Sequence, residues 1–147
     1  MEQEIRKKIL TLLDQHRIMT IATRRPDGWP QATTVGYVNE GLILYFLCGL
    51  NSQKATNLAR DDRVSLTIDH DTPDIMAITG LSMAVHAQAV LGRSEQDIAH
   101  ARAEVSRASL PPSANSPEDV RIFRVTPKII SVLDYSKGFG HTDLVTC

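Results

Sequence analysis

"QATTVGYVNEGLILYFLCGLNSQKATNLARDDRVSLTI", residues 31 to 68, holds two strand-like runs, a turn, a helix start and a further strand in one unbroken order. "QATTVGYV" and "LILYFLC" flank "NEG", whose glycine can take positive φ in a short loop. "SQKATNLAR" then changes the period. Asn51 or Ser52 can cap its start, because either side chain accepts from an orphan backbone N–H, and Ala55, Leu58 and Ala59 share one face of a short helix. "RVSLTIDH" returns to strand alternation, with Val64, Leu66 and Ile68 against polar neighbours.

Outward from this stretch the same periodicities continue. "EIRKKILTLLDQH" sets Ile5, Ile9, Leu12 and Leu13 on one face of an N-terminal amphipathic helix. "RIMTIATR" has strand character and "RPDGWP" has the residues of a tight turn, so residues 18 to 48 read as three antiparallel strands, with "QATTVGYV" pairing "LILYFLC". Beyond "DTPD" a β-like run extends from Ile75 to Leu91, a length at which strands are usually bent or bulged. "SEQDIAHARAEVSR" predicts a helix, and "ASLPPSANSPED", residues 108 to 119, a loop. "VRIFRVTP" and "KIISVLDYS" predict two more strands divided by Pro127, while the tail "KGFGHTDLVTC" has no usable period and is expected to lack order.

Six or seven mainly antiparallel strands with few helices favour a closed or partly closed barrel, which removes most exposed edges. The expected fold is mainly β, a β-barrel with peripheral helices, forming a single domain over residues 1–147.

Composition excludes several functions. With 16 basic and 17 acidic residues the net charge is −1, so no global field favours nucleic acid or an anionic membrane. No apolar stretch approaches the roughly 20 residues of a membrane span, and the N-terminus is charged rather than signal-like. Cys48 and Cys147 make no disulfide framework and fit a reducing compartment, so a cytoplasmic protein is expected. His16, His70, His86, His100 and His141 are scattered without ligand spacing, which gives no metal site. Neither a nucleophile elbow, a Walker loop nor a Rossmann glycine fingerprint is present.

The helix start at Ser52 has two readings. Its free N–H groups and dipole, with the Ser52 hydroxyl and the Lys54 charge, suit a phosphate. An ordinary capped helix with a solvated lysine fits the same residues. Thr33, Thr34 and Gly36 supply small or hydroxyl groups in the neighbouring strand, where a flat ring could approach the backbone or the barrel could simply bend.

From Ile18 to Ile68 the order of strand, D-G-x-P turn, two strands, S-x-K helix and D-x-R-V strand resembles the pyridoxamine 5'-phosphate oxidase-like FMN-binding split-barrel proteins. The resemblance implies a six-stranded split barrel that forms a homodimer, with FMN at the interface. It implies that Ser52, Gln53 and Lys54 meet the FMN phosphate, that Thr33, Thr34, Val35, Gly36 and Tyr37 run along the ribityl chain and ring, and that Leu47 and Cys48 contact the flavin through backbone. True pyridoxamine phosphate oxidases carry arginines at the positions of Thr33 and Gln53, and their longer C-terminal substrate region has no match after Tyr135. A different small-molecule substrate is therefore expected, and FAD, a deazaflavin (F420) or haem are alternatives to FMN.

No residue presents itself as acid or base, so catalytic residues are unknown. A flavoprotein tolerates this, since the cofactor carries the hydride chemistry and the protein binds and orients it. The implied function is a flavin-dependent oxidoreductase, with a flavin-binding module that does not turn over as the alternative. Cys48 reads as a small buried hydrophobe, Trp29 as a surface or contact aromatic, and Lys137, Phe139 and His141 as part of the tail.

Overall fold

The structure, a computed structural model, describes residues 1–91 and 120–147. Helix α1 (Gln3–Gln15) is followed by strands β1 (Ile18–Arg24), β2 (Pro30–Gly36), β3 (Val38–Glu40) and β4 (Ile43–Gly49). Helix α2 (Gln53–Arg60), β5 (Arg63–Asp69), β6 (Thr79–Ala89), β7 (Val120–Asp134) and β8 (Thr142–Thr146) complete the described elements. All pairings are antiparallel, in the order β2-β1-β5-β6-β7-β4-β3, with β8 on β7.

That order dictates the shape. β2 and β3 lie at opposite ends of the sheet, yet only Tyr37 separates them in the chain. The sheet therefore curls until its two ends meet, giving a barrel whose last seam is spanned by covalent chain rather than by a hydrogen-bond ladder. The curled interior holds Met19, Ile21, Leu44, Phe46, Leu66, Ile68, Leu81 and Ile130, and Phe46 stacks on Phe123 with ring centres 5.3 Å apart. Helix α1 closes one opening with Ile9, Leu12 and Leu13, as its spacing predicts.

Several expectations need correction. "QATTVGYV" is not one strand: it breaks at Tyr37, so β2 pairs with β1 from Ile18↔Gly36 to Arg24↔Pro30, and only β3 pairs with β4. Burial explains the break, because the Tyr37 ring turns inward and its hydroxyl donates to the Leu13 carbonyl at 2.7 Å. Burial, then the Asp14 carboxylate, raises the Tyr37 pKa well above the ordinary phenol value, so it keeps that proton. Residues Ile75–Ala77 form a 3-10 turn rather than the start of a long strand, capped by Asp74 accepting from Met76 N–H at 2.9 Å.

Pro127 does not divide two strands either. β7 runs through it, and the register with β6 slips between Ala84 and Val85, facing Ile129 and Pro127 respectively. Lys128 is the extra residue of this bulge, so the proline, which has no N–H, sits where the ladder is already interrupted. The bulge also divides β7's other edge, where Val120–Val125 pair with β4 and Ile129–Leu133 with β8. The C-terminal tail is thus ordered, as a strand with Val145 buried and Leu144 exposed. The helix expected over "SEQDIAHARAEVSR" and the loop after it lie outside the described residues.

One ion pair ties α1 to the end of β7. Lys8 Nζ lies 2.6 Å from Asp134 Oδ2, while Ser136 donates to the other oxygen. The Lys8 bond first and the Ser136 hydroxyl second hold the Asp134 carboxyl down at about 2. Its contribution, discounted for the partly exposed lysine to about 1–2 kcal/mol, is present above the unfolded carboxyl value near 4 and is lost as pH falls toward 2. Asp134→Asn should flatten that part of the stability–pH curve measured by urea unfolding; an unchanged slope between pH 4 and 2 would refute the assignment.

Candidate functional site at the start of α2

Antiparallel pairing leaves one gap. Among the described residues β2 pairs only with β1, so its second edge meets no strand, and β3 covers β4 only from Ile43 to Tyr45. Phe46 to Gly49 therefore have β7 on one side and no strand on the other. The chain passes from one bare edge to the other at Tyr37. The open end of this split lies beside Pro30 at the start of β2 and Gly49 at the end of β4.

Helix α2 starts at that open end. A turn bonds Ser52 N–H to the Gly49 carbonyl at 3.0 Å, and Ser52, rather than Asn51, is the N-cap, accepting from Ala55 N–H at 3.1 Å. Ala55 and Leu58 face the core as predicted, but Ala59 is exposed and Asn57 is fully buried. Asn57 explains the rotation of the helix: it donates to Thr23 Oγ1 at 2.9 Å and to Gln31 Oε1 at 3.4 Å, and accepts from Gln53 at 2.9 Å. This polar cluster links α2 to both β1 and β2 across the mouth of the split.

The ten residues singled out by sequence distribute by strand alternation. On β2, Thr33 and Val35 face inward, whereas Thr34 and Gly36 face out. On β4, Cys48 joins the interior while Leu47 packs outward with Tyr45 and Ile122. A ligand reaching both sets can do so only through the strand edges. A Cβ at Gly36 would meet nothing nearer than the Arg17 carbonyl at 3.8 Å, so contacts within this chain do not require glycine there. The Tyr37 side chain is committed to Leu13, and the Gln53 amide to Asn57.

Ser52, Lys54 and Arg121 each act on Cys48, and Arg121 is not among the ten. Cys48 and Arg121 are direct partners across β4 and β7, so their side chains leave the same face. Burial pushes the Cys48 thiol up, opposed by a hydrogen bond with Ser52 and by the charges of Lys54 and Arg121. The thiol therefore remains protonated, as a small hydrophobe would be, and the site's charge is cationic. Arg121 escaped the sequence reading, although a signal existed: "RIFRV" alternates Arg121, Phe123 and Val125 on one face, and the last two are buried. Thr33 Oγ1 is a buried oxygen with no hydrogen-bond partner, an unspent group on the strand that borders the split.

The donor set fits a phosphate ester joined to a flat polar ring: two cations and a capped helix start at one end, bare strand edges along the rest. An open cleft of about 460 Å³ adjoins the split at Thr23 and Pro30, is otherwise lined by Arg24, Ser65, Ala84, His86 and Lys128 among others, and includes none of the ten residues. Arg24 and Arg63 there both approach Asp61, at 3.9 and 2.8 Å, so part of its positive charge is already neutralised. Among the described residues no group of three or more potential ligands could hold a metal ion, and no helix is long and apolar enough to cross a membrane.

The curled sheet with one unzipped seam defines a split barrel. A family model described as pyridoxamine 5'-phosphate oxidase matches residues 5–134, and the chain belongs to that family. Solved structures share the fold at low identity. A heme binding protein from Mycobacterium smegmatis is 22% identical with a TM-score of 0.79, over 99% of this chain and 59% of that one. A heme storage protein from Vibrio cholerae is 19% identical with a TM-score of 0.71, over 83% and 89%. A Clostridium acetobutylicum protein related to general stress protein 26 is 11% identical with a TM-score of 0.75, over 99% and 96%. No curated protein matches the chain.

Proposed function

We propose that the chain is an FMN-binding oxidoreductase of the pyridoxamine 5'-phosphate oxidase family, acting on a small molecule other than pyridoxamine phosphate. The observation that carries this reading is the helix start capped by Ser52, with Lys54 in its first turn, set just beyond Gly49 where the bare edge of β4 ends. Ser52 and Lys54 would hold the phosphate, and the β2 edge from Thr33 to Gly36 and the β4 edge at Leu47 and Cys48 would flank the ribityl chain and ring. When bound, the flavin supplies two-electron transfer, and the protein's part is to bind and orient it. The second wall of the split would come from another copy in a homodimer, as the family resemblance implies. The free cysteines Cys48 and Cys147 suit a reducing compartment such as the cytoplasm.

Absorbance of the purified protein tests the cofactor. Flavin bands, or quenching of added FMN fluorescence together with a raised melting temperature, are expected. A Soret band would move the assignment to haem, the reading favoured by the names of two similar structures. A deazaflavin spectrum would retain the site and change the ring. Steady-state oxidation of reduced nicotinamide well above the free-flavin rate separates an enzyme from a module that only binds flavin.

Lys54→Ala should weaken FMN by about 2 kcal/mol, the scale of a charge-assisted hydrogen bond, and leave riboflavin nearly unchanged because it lacks the phosphate. Equal losses for both ligands, measured by fluorescence titration, would place Lys54 outside the phosphate site.

A further inference from the structure

The cleft of about 460 Å³ on the outside of the barrel is shaped by the ladder itself. Ala22 pairs with Ser65 and Ser65 with Ala84, so three small side chains lie side by side across the outward face of β1, β5 and β6. Long cationic side chains stand around this floor. Arg63 and His86 pair two residues along the same face, Arg24 ends β1, and Lys128 reaches in from β7. Lys128 is the extra residue of the β6–β7 bulge, a device that re-aims a side chain out of regular alternation. Among the lining residues three cations face the one carboxylate of Asp61, in a chain whose net charge is −1. The excess is local. Arg63 grips both Asp61 oxygens, at 2.9 and 2.8 Å, and Asp62 engages His86 at 3.1 Å. Arg24 approaches Asp61 only to 3.9 Å, and Lys128 makes no ion pair with a described residue. These two underused cations sit on strands three steps apart in the sheet, roughly 14 Å along a flat ladder.

We infer that this cleft binds a flat organic dianion, its apolar body on Ala22 and Ala84 and an acidic group at each end, one met by Lys128 and the other by Arg24. The floor decides the body. Small side chains let a ring lie close to the sheet, and the two alanine methyls give it apolar contact with only the Ser65 hydroxyl as a polar partner. A sugar or a peptide would leave polar groups unmet there. The rim decides the ends. A compact inorganic anion would satisfy one cation and leave the floor and the other cation bare, whereas an elongated diacid makes a charge-assisted contact at each strand. Covering the floor also removes water from between those contacts, which strengthens both. None of the residues assigned to flavin lines the cleft, although it adjoins the split at Thr23 and Pro30. The site thus goes beyond the flavin reading and stands without it.

The test is calorimetric titration of the full chain, without added flavin, with naphthalene-2,6-dicarboxylate, 2-naphthoate and inorganic phosphate. The dicarboxylate should bind about tenfold more tightly than 2-naphthoate, which has one acidic group, and phosphate should give no measurable heat. Lys128→Gln and Arg24→Gln should each weaken the dicarboxylate about tenfold, the loss of one charge-assisted contact, while Lys7→Gln on α1 should change it less than about twofold. Ala84→Leu fills the floor and should abolish binding of both aromatic acids. Should that variant fail to fold, Ser65→Leu fills the same floor from β5 and carries the same expectation. FMN, titrated separately, should bind Lys128→Gln as it binds the unmodified chain, and a chain that binds no FMN overturns the flavin reading alone. The cleft inference is overturned if the unmodified chain binds no dicarboxylate, if phosphate binds as tightly, or if either Lys128→Gln or Arg24→Gln leaves the dicarboxylate unchanged. A parallel loss of FMN in Lys128→Gln would make the cleft part of the flavin site and overturn it as well.

Discussion

Replacing Asn57 by alanine is expected to lower the unfolding free energy by about 3 kcal/mol. The side chain is completely buried on a short helix, and it satisfies Thr23, which is itself 3% exposed, together with Gln31 and Gln53. Alanine would leave the Thr23 hydroxyl unpaired away from water and a void beside it. The two costs act together, whereas the gain in helix propensity is only a few tenths of a kcal/mol. A double-mutant cycle with Thr23→Val separates them: the Asn57 substitution should cost about 1 kcal/mol less when no hydroxyl remains to be orphaned. Strictly additive effects in urea unfolding would show that the bond between them contributes nothing. Loosening α2 should also weaken any anion at its start, although Asn57 touches none.

Gly80→Ala is expected to cost about 2–3 kcal/mol, at the upper end of the usual overpacking range. A Cβ there would sit 2.6 Å from the Ile68 carbonyl oxygen and 3.1 Å from the Asp69 Cβ. Neither neighbour can swing aside, because Ile68 and Asp69 pair with Leu81 and Gly80 in the β5–β6 ladder. β6 is flanked on its other side by β7, so a shift would open one ladder or the other. Gly36→Ala is the control, with 3.8 Å of space and an expected change under about 0.5 kcal/mol. A Gly80 variant as stable as the Gly36 variant, by thermal or urea unfolding, would contradict the close approach.

The elements legible in advance were those with strong local periodicity. Ile9, Leu12 and Leu13 on α1, and Val64, Leu66 and Ile68 on β5, face the core as their spacing requires. The errors came where a residue's partner is distant. Tyr37 breaks a strand because its hydroxyl finds Leu13, and Pro127 is accommodated because β6 slips against it, neither of which a local window contains. The tail was unreadable for the same reason: "TDLVT" has one buried residue, Val145, and depends on β7 for its ladder. At the site, Ser52 and Lys54 were visible as a helix start, while Arg121 required knowledge of which strand lies beside β4.

The single-residue link at Tyr37 has a mechanical consequence. A sheet laced along every boundary but one has one compliant direction, and here it is the angle between β2 and β4. Opening that angle breaks no backbone ladder. Its resting value is set at the far end by side chains, where Asn57 spans from α2 to Gln31 and Thr23. Substitutions in that small latch could therefore fit the same barrel to guests of different thickness, leaving the rest of the sheet untouched.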